Sequence, residues 1–119
     1  MPLVRIRHIP LFPAEDIKKL ARALPGIVAE ALTCSNKGGE LRVGDIEVEI
    51  TPTGLGDIIH HEISIIIDAN YFPHRANTLE ERVRKIEEEL KPFWPRGCHF
   101  NACIWVRLFP AAFVSTRMD

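Results

Sequence analysis

Apolar and polar residues alternate from the start of the chain. Val4 and Ile6 are separated by Arg5 and Arg7, so Leu3 to Ile9 predicts a strand with one apolar face and one face carrying two guanidiniums, ended by Pro10. The period then changes. Ile17, Leu20, Leu24, Ile27, Val28 and Ala31 fall at spacings of three and four, which predicts a helix from about Ala14 with Pro13 suited to its first turn. The stripe keeps its phase across Pro25-Gly26, so the reading is a kinked helix or two abutting helices on one sheet face. Alternation resumes from Leu41 to Ile50, with Ile46, Val48 and Ile50 opposite Asp45, Glu47 and Glu49, predicting a half-exposed strand. The turn-rich run from Thr51 to Gly56 leads to Glu62 to Ala69, where isoleucines on both faces predict a central strand. Thr78-Leu79-Glu80-Glu81 has the form of a capping box. Leu79, Val83, Ile86 and Leu90 continue that helix, with Glu80/Arg84 and Glu81/Lys85 pairs on its outer face and Pro92 and Pro95 closing it. A last strand is expected from about Asn101 to Phe109, followed by an apolar stretch from Pro110 to Val114.

The order is strand, helix, strand, then strand, helix, strand. It predicts a single α+β domain over residues 1–119 with pseudo-repeat halves of about 1–58 and 59–119, two consecutive βαβ units forming a four-stranded sheet with two helices on one face. Two helices cover only one side of a sheet this rich in isoleucine and aromatic residues. The other side is expected to meet another subunit.

Composition narrows the class without changing the fold. The 119 residues carry 15 basic and 16 acidic side chains, a net charge of −1, which gives no general attraction to nucleic acid or an anionic membrane. Arg5, Arg7 and His8 interrupt the first apolar residues, so no signal-peptide core is expected, and no apolar run approaches the roughly 18 residues of a membrane span. These features predict a cytosolic protein. Cys34, Cys98 and Cys103 form an odd set without CxxC spacing, consistent with reduced thiols. His60-His61-Glu62 resembles part of a metal cluster, but neighbours on a strand point to opposite faces, so no metal site is expected. Gly38-Gly39 and Gly54-x-Gly56 are too short for a phosphate loop.

Pro2 carries the candidate chemistry. A small second residue permits removal of Met1, which leaves a secondary amine at the terminus. A free α-amino group titrates near about 8, and a guanidinium or apolar pocket beside it increases the neutral, proton-accepting form at neutral pH.

Met1-Pro2 running straight into a strand, the βαβ-βαβ order, the Tyr71-Phe72-Pro73-His74-Arg75 turn before the second helix, and Ile104-Trp105-Val106 near the end together resemble the long-chain members of the tautomerase superfamily. That group includes 4-oxalocrotonate tautomerase, 5-carboxymethyl-2-hydroxymuconate isomerase, macrophage migration inhibitory factor and the 3-chloroacrylic acid dehalogenases. The chain also resembles a bacterial branch that likewise begins Met-Pro and has arginines at the places of Arg5 and Arg7. The resemblance implies Pro2 as general base and acid, Arg75 as the holder of a substrate carboxylate, and Arg107, Arg5 and Arg7 as further substrate-binding candidates. It also implies trimers or hexamers, with Trp105, Phe109 or Phe113 as an apolar wall beside Pro2, and no metal or organic cofactor. Two departures matter. Leu11-Phe12 stands where the short tautomerases begin their first helix with arginine, and the last strand has no glutamate to activate water, which disfavours hydrolytic dehalogenation. The implied reaction is proton relocation in a small enolisable carboxylic acid of the 2-hydroxymuconate or phenylpyruvate type. The alternative is a noncatalytic oligomeric α/β binding or scaffold protein.

Overall fold

Ile63, Ile65 and Ile67 have no exposed surface, and neither do Val4 and Ile6, because the strands that carry them lie side by side under both long helices. The computed structural model describes residues 2–35, 39–112 and 114–118; Met1, Gly38 and Phe113, which enter the expectations above, lie outside the described residues. Its strands are β1 (Leu3–His8), β2 (Glu47–Pro52), β3 (Ile63–Asn70) and β4 (Ala102–Phe109). The helices are α1 (Ala14–Leu32), the short α2 (Pro73–Asn77) and α3 (Leu79–Leu90). Strand order is β2-β1-β3-β4. β1 runs parallel to β2 and β3 parallel to β4, and the two pairs meet through the antiparallel contact of β1 with β3. This is the expected pair of βαβ units in an α+β sheet, with β3 central.

The core lies between the sheet and the helices. Ile17, Leu20, Leu24, Val28 and Leu32 from α1 and Ile86 and Leu90 from α3 close over the isoleucines of β1 and β3. Each such fully buried side chain contributes roughly 1.5–3 kcal/mol by leaving water. α1 is one continuous 19-residue helix that contains Pro25, although the ring leaves the Ala21 carbonyl without its usual N–H donor. Pro25 is half-buried and Gly26 exposed, so that turn faces outward.

Three local expectations require correction. The strand predicted from Leu41 begins only at Glu47. Asp45 Oδ2 accepts the Arg42 N–H at 2.9 Å and Asp45 N–H returns to the Arg42 carbonyl at 3.0 Å, folding Val43–Asp45 into a tight 3-10 turn. The Thr78 capping box does not form. Thr78 Oγ1 donates to the His74 carbonyl at 2.8 Å and accepts Arg82 Nε–H at 2.7 Å, so the hydroxyl points back toward α2. Glu80 and Arg84 pair as expected at 2.7 Å, but Lys85 reaches across to Glu30 of α1 at 2.9 Å and not to Glu81.

Candidate functional site

Pro2 is buried at the head of β1, where its carbonyl accepts the Glu47 N–H at 3.3 Å and extends the β1–β2 ladder by one step. Register then decides what stands near it. Leu3 is opposite Asp68 of β3, Asp68 is opposite Arg107 of β4, and Arg5 is opposite Glu49 of β2. All of these side chains rise from the sheet face that carries no helix.

Two of the predicted arginines meet on Asp68. Arg107 Nε and Nη2 donate to the two carboxylate oxygens at 2.7 and 3.0 Å, a forked pair, while Arg5 Nη1 approaches Oδ2 at 3.6 Å and Arg5 Nε approaches Glu49 at 3.6 Å. The hydrogen bond to Asp68 holds the Arg107 pKa above its ordinary value; partial desolvation opposes this and the carboxylate's charge supports it. The Arg107 guanidinium also lies 5.5 Å from the Phe109 ring centre. Pro2, Arg5 and Arg107 thus share the end of the sheet where β1 begins. Arg7 does not join them. It lies further along β1, opposite Thr51 and Ser64, exposed and without an ion pair among the described residues.

Arg75 is at the same end but inside the protein. Its side chain is 1% exposed, and its nitrogens donate to three carbonyls: Nε to Leu32 at 2.8 Å, Nη1 to Asn70 at 2.8 Å and Nη2 to Gly39 at 3.0 Å. The guanidinium also sits 5.0 Å from the Phe72 ring centre. Burial pulls its pKa below the ordinary arginine value, with the neighbouring Cys34 thiol acting in the opposite direction. Sequence reasoning placed this side chain against a substrate carboxylate; in the folded chain it joins the end of α1, the following loop and the end of β3.

Arg82 was not singled out from the sequence. Its Nη1 donates to the carbonyls of Ala31 and Thr33 at 3.0 and 2.9 Å, so Arg75 and Arg82 together satisfy the C-terminus of α1. A signal was present, since α1 ends without a basic residue in its last turn. His60 and His61 are exposed in the loop before β3. Among the described residues no three histidine, cysteine or acidic side chains converge, and Cys34, Cys98 and Cys103 are free thiols. No helix is long and apolar enough to cross a membrane among the described residues. Trp105 is 60% exposed and Phe109 44% exposed on the uncovered sheet face.

No family model and no curated protein matches the sequence. Solved structures do match the fold. A macrophage migration inhibitory factor-like protein from Entamoeba histolytica superposes with a TM-score of 0.60 at 15% identity, over 92% of this chain and 89% of that one. Malonate semialdehyde decarboxylase, studied for decarboxylase and hydratase activities and also as a variant with its first-position proline changed to alanine, gives 0.64 at 11% identity over 97% and 92%. A fused 4-OT solved as a symmetric trimer gives 0.61 at 11% identity over 91% and 85%. The strand order, the two crossover helices and these superpositions agree that the chain has the fold of the tautomerase superfamily.

Proposed function

We propose that the protein is a cofactor-independent tautomerase in which Pro2, freed by removal of Met1, moves a proton within a small enolisable carboxylic acid. The observation that carries this reading is the position of Pro2, buried and held by Glu47 at the head of β1 with Arg5 and Arg107 at the same end of the sheet. The proline-to-alanine variant of malonate semialdehyde decarboxylase lends support. The neutral secondary amine takes a proton from the enol hydroxyl or from the carbon beside the carbonyl and returns it to another carbon, leaving the overall atom count unchanged. A guanidinium holds the carboxylate and stabilises the oxyanion that forms between the two transfers.

Arg5 and Arg107 are the exposed arginines at this end and meet a carboxylate by exchange with Asp68. Arg75 reaches one only by giving up a carbonyl, so its first role is to position the surrounding backbone. Arg7 would contribute from further along the same face. The reading includes a homo-oligomer, most simply a trimer as in the fused 4-OT structure, with the uncovered face bearing Trp105 and Phe109 turned toward the neighbouring subunits.

The test uses protein whose intact mass shows the loss of Met1. It should ketonise phenylenolpyruvate or 2-hydroxymuconate well above buffer, and Pro2→Ala should lower the rate by tens of fold on the order of a lost general base, with an unchanged circular dichroism spectrum. Equal rates for wild type and Pro2→Ala would remove the proline mechanism.

A further inference from the structure

We propose that the two open edges of the sheet join copies of this chain: β4 of one copy pairs antiparallel with β2 of the next, closing a ring that places each Arg107 at its neighbour's Pro2 end. This rests on the homo-oligomer of the proposed function and names its joint, without using the proline chemistry. Backbone hydrogen bonds define what each edge offers. The carbonyls of Asn101 and Phe109 accept the Ile63 and Tyr71 N–H groups at 3.4 and 2.8 Å, so the odd-numbered residues of β4 face β3. The N–H and C=O groups of Ala102, Ile104, Val106 and Leu108 therefore turn outward, with no backbone partner among the described residues. β4 has no proline and a single charge, Arg107, so little in it blunts pairing. On β2 the Glu47 and Thr53 N–H groups reach β1, which leaves Val48 and Ile50 open, and Pro52, lacking an N–H, ends that edge.

Charge decides which edge meets which. From β2 to β4 the face without helices reads Glu49, Arg5, Asp68, Arg107, acid and base in turn, with successive approaches of 3.6, 3.6 and 2.7 Å. Two β4 edges together would set arginine beside arginine, and two β2 edges would gather Glu47 and Glu49. β4 against β2 continues the alternation from one copy into the next. Direction agrees with charge. β1 is parallel to β2 and antiparallel to β3, and β3 is parallel to β4, so β2 and β4 run oppositely. Copies related by rotation about an axis along the sheet therefore meet in an antiparallel ladder.

The joint also covers apolar surface and extends the site. Ile50, 42% exposed on β2, lies on the helix side of the sheet, as do Ile104, Val106 and Leu108 of β4, which the chain's own core covers only in part. Leu3 stands opposite Glu47 on one side and Asp68 on the other, and Asp68 stands opposite Arg107, so the start of β2 and Arg107 share the Pro2 end. Arg107 uses Nε and Nη2 on Asp68, which leaves Nη1 for the neighbour's Glu47 or Glu49. The neighbour's Pro2 and Arg5 then have a second subunit's guanidinium beside them.

The readout is the native mass of the full-length protein by light scattering at micromolar concentration. Wild type should weigh a fixed multiple of the 13.5 kDa chain, and Pro2→Ala should weigh the same, so loss of the proline mechanism leaves the joint standing. Val106→Pro and Ile50→Pro each remove an N–H that points away from the chain's own ladder; both should keep the wild-type circular dichroism spectrum and fall to the mass of one chain. Cross-linking tests the pairing without proline. With Cys98→Ser and Cys103→Ser in the background, a short bismaleimide should link chains that carry both Ile50→Cys and Val106→Cys, and should link neither single variant. The joint is overturned if folded proline variants keep the wild-type mass, if the double cysteine variant stays unlinked, or if either single variant links to itself, which would mean like edges meet. A monomeric wild type would overturn the homo-oligomer together with the joint.

Discussion

The two faces of one sheet follow different rules. On the helix side, Val4, Ile6, Ile63, Ile65 and Ile67 are completely covered, and any of them could be exchanged in thought for another branched apolar residue without changing what the face does. On the other side the same strands present Glu49, Arg5, Asp68 and Arg107, one from each strand, joined in a chain of ion pairs across the sheet. The first face depends on volume and the second on the identity and register of single groups. β3 shows both rules within eight residues, because its pleat sends isoleucine inward and Asp68 outward.

That contrast can be broken or sharpened by substitution. Ile65→Ala should cost about 4 kcal/mol in urea unfolding, since it empties a fully buried site between the sheet and both helices; a loss near zero would mean the core is not where the covered face lies. Arg75→Leu should follow at about 3 kcal/mol, because three carbonyls lose a buried donor, and Arg75→Lys should recover only part of it since one ammonium cannot span all three. Asp68→Asn on the uncovered face should cost less than either, and its difference from wild type should shrink as salt is added; a gap insensitive to salt would contradict a solvent-screened pair. The smallest effect is expected at Glu15→Gln. The hydrogen bond and charge of Arg22 hold the Glu15 pKa below its usual value, so its stabilisation is present above the ordinary carboxylate range and disappears as pH falls through it. Melting curves of wild type and Glu15→Gln should differ slightly at pH 7 and converge as pH falls below the ordinary carboxylate range.

The covered face was legible because its signal is a period. The stripe from Ile17 to Ala31 and the alternation of Val4 and Ile6 need only counting, and each of those residues is buried. Boundaries were less legible where a side chain competed for the backbone: Asp45 closes a turn inside an alternating run, and Thr78 bonds backward to His74. The polar site was the least legible part. That Arg5 and Arg107 share Asp68 depends on two strand registers, and that Arg75 faces carbonyls depends on where α1 ends, neither of which is written in local sequence. Arg82 escaped notice for the same reason, its partners lying in the other half of the chain.

The helix cap made by Arg75 and Arg82 has a consequence for how the chain is born. The donors lie 43 and 51 residues after the carbonyls they satisfy, at Leu32 and Ala31. A nascent chain that has released only β1, α1 and β2 from the ribosome therefore holds a helix with an open end and a β1 edge still waiting for β3. The first half, despite looking like a complete βαβ unit, lacks the partners of those carbonyls and of that strand edge until the second half emerges, and long-range closure of this kind is slower than the formation of local helices.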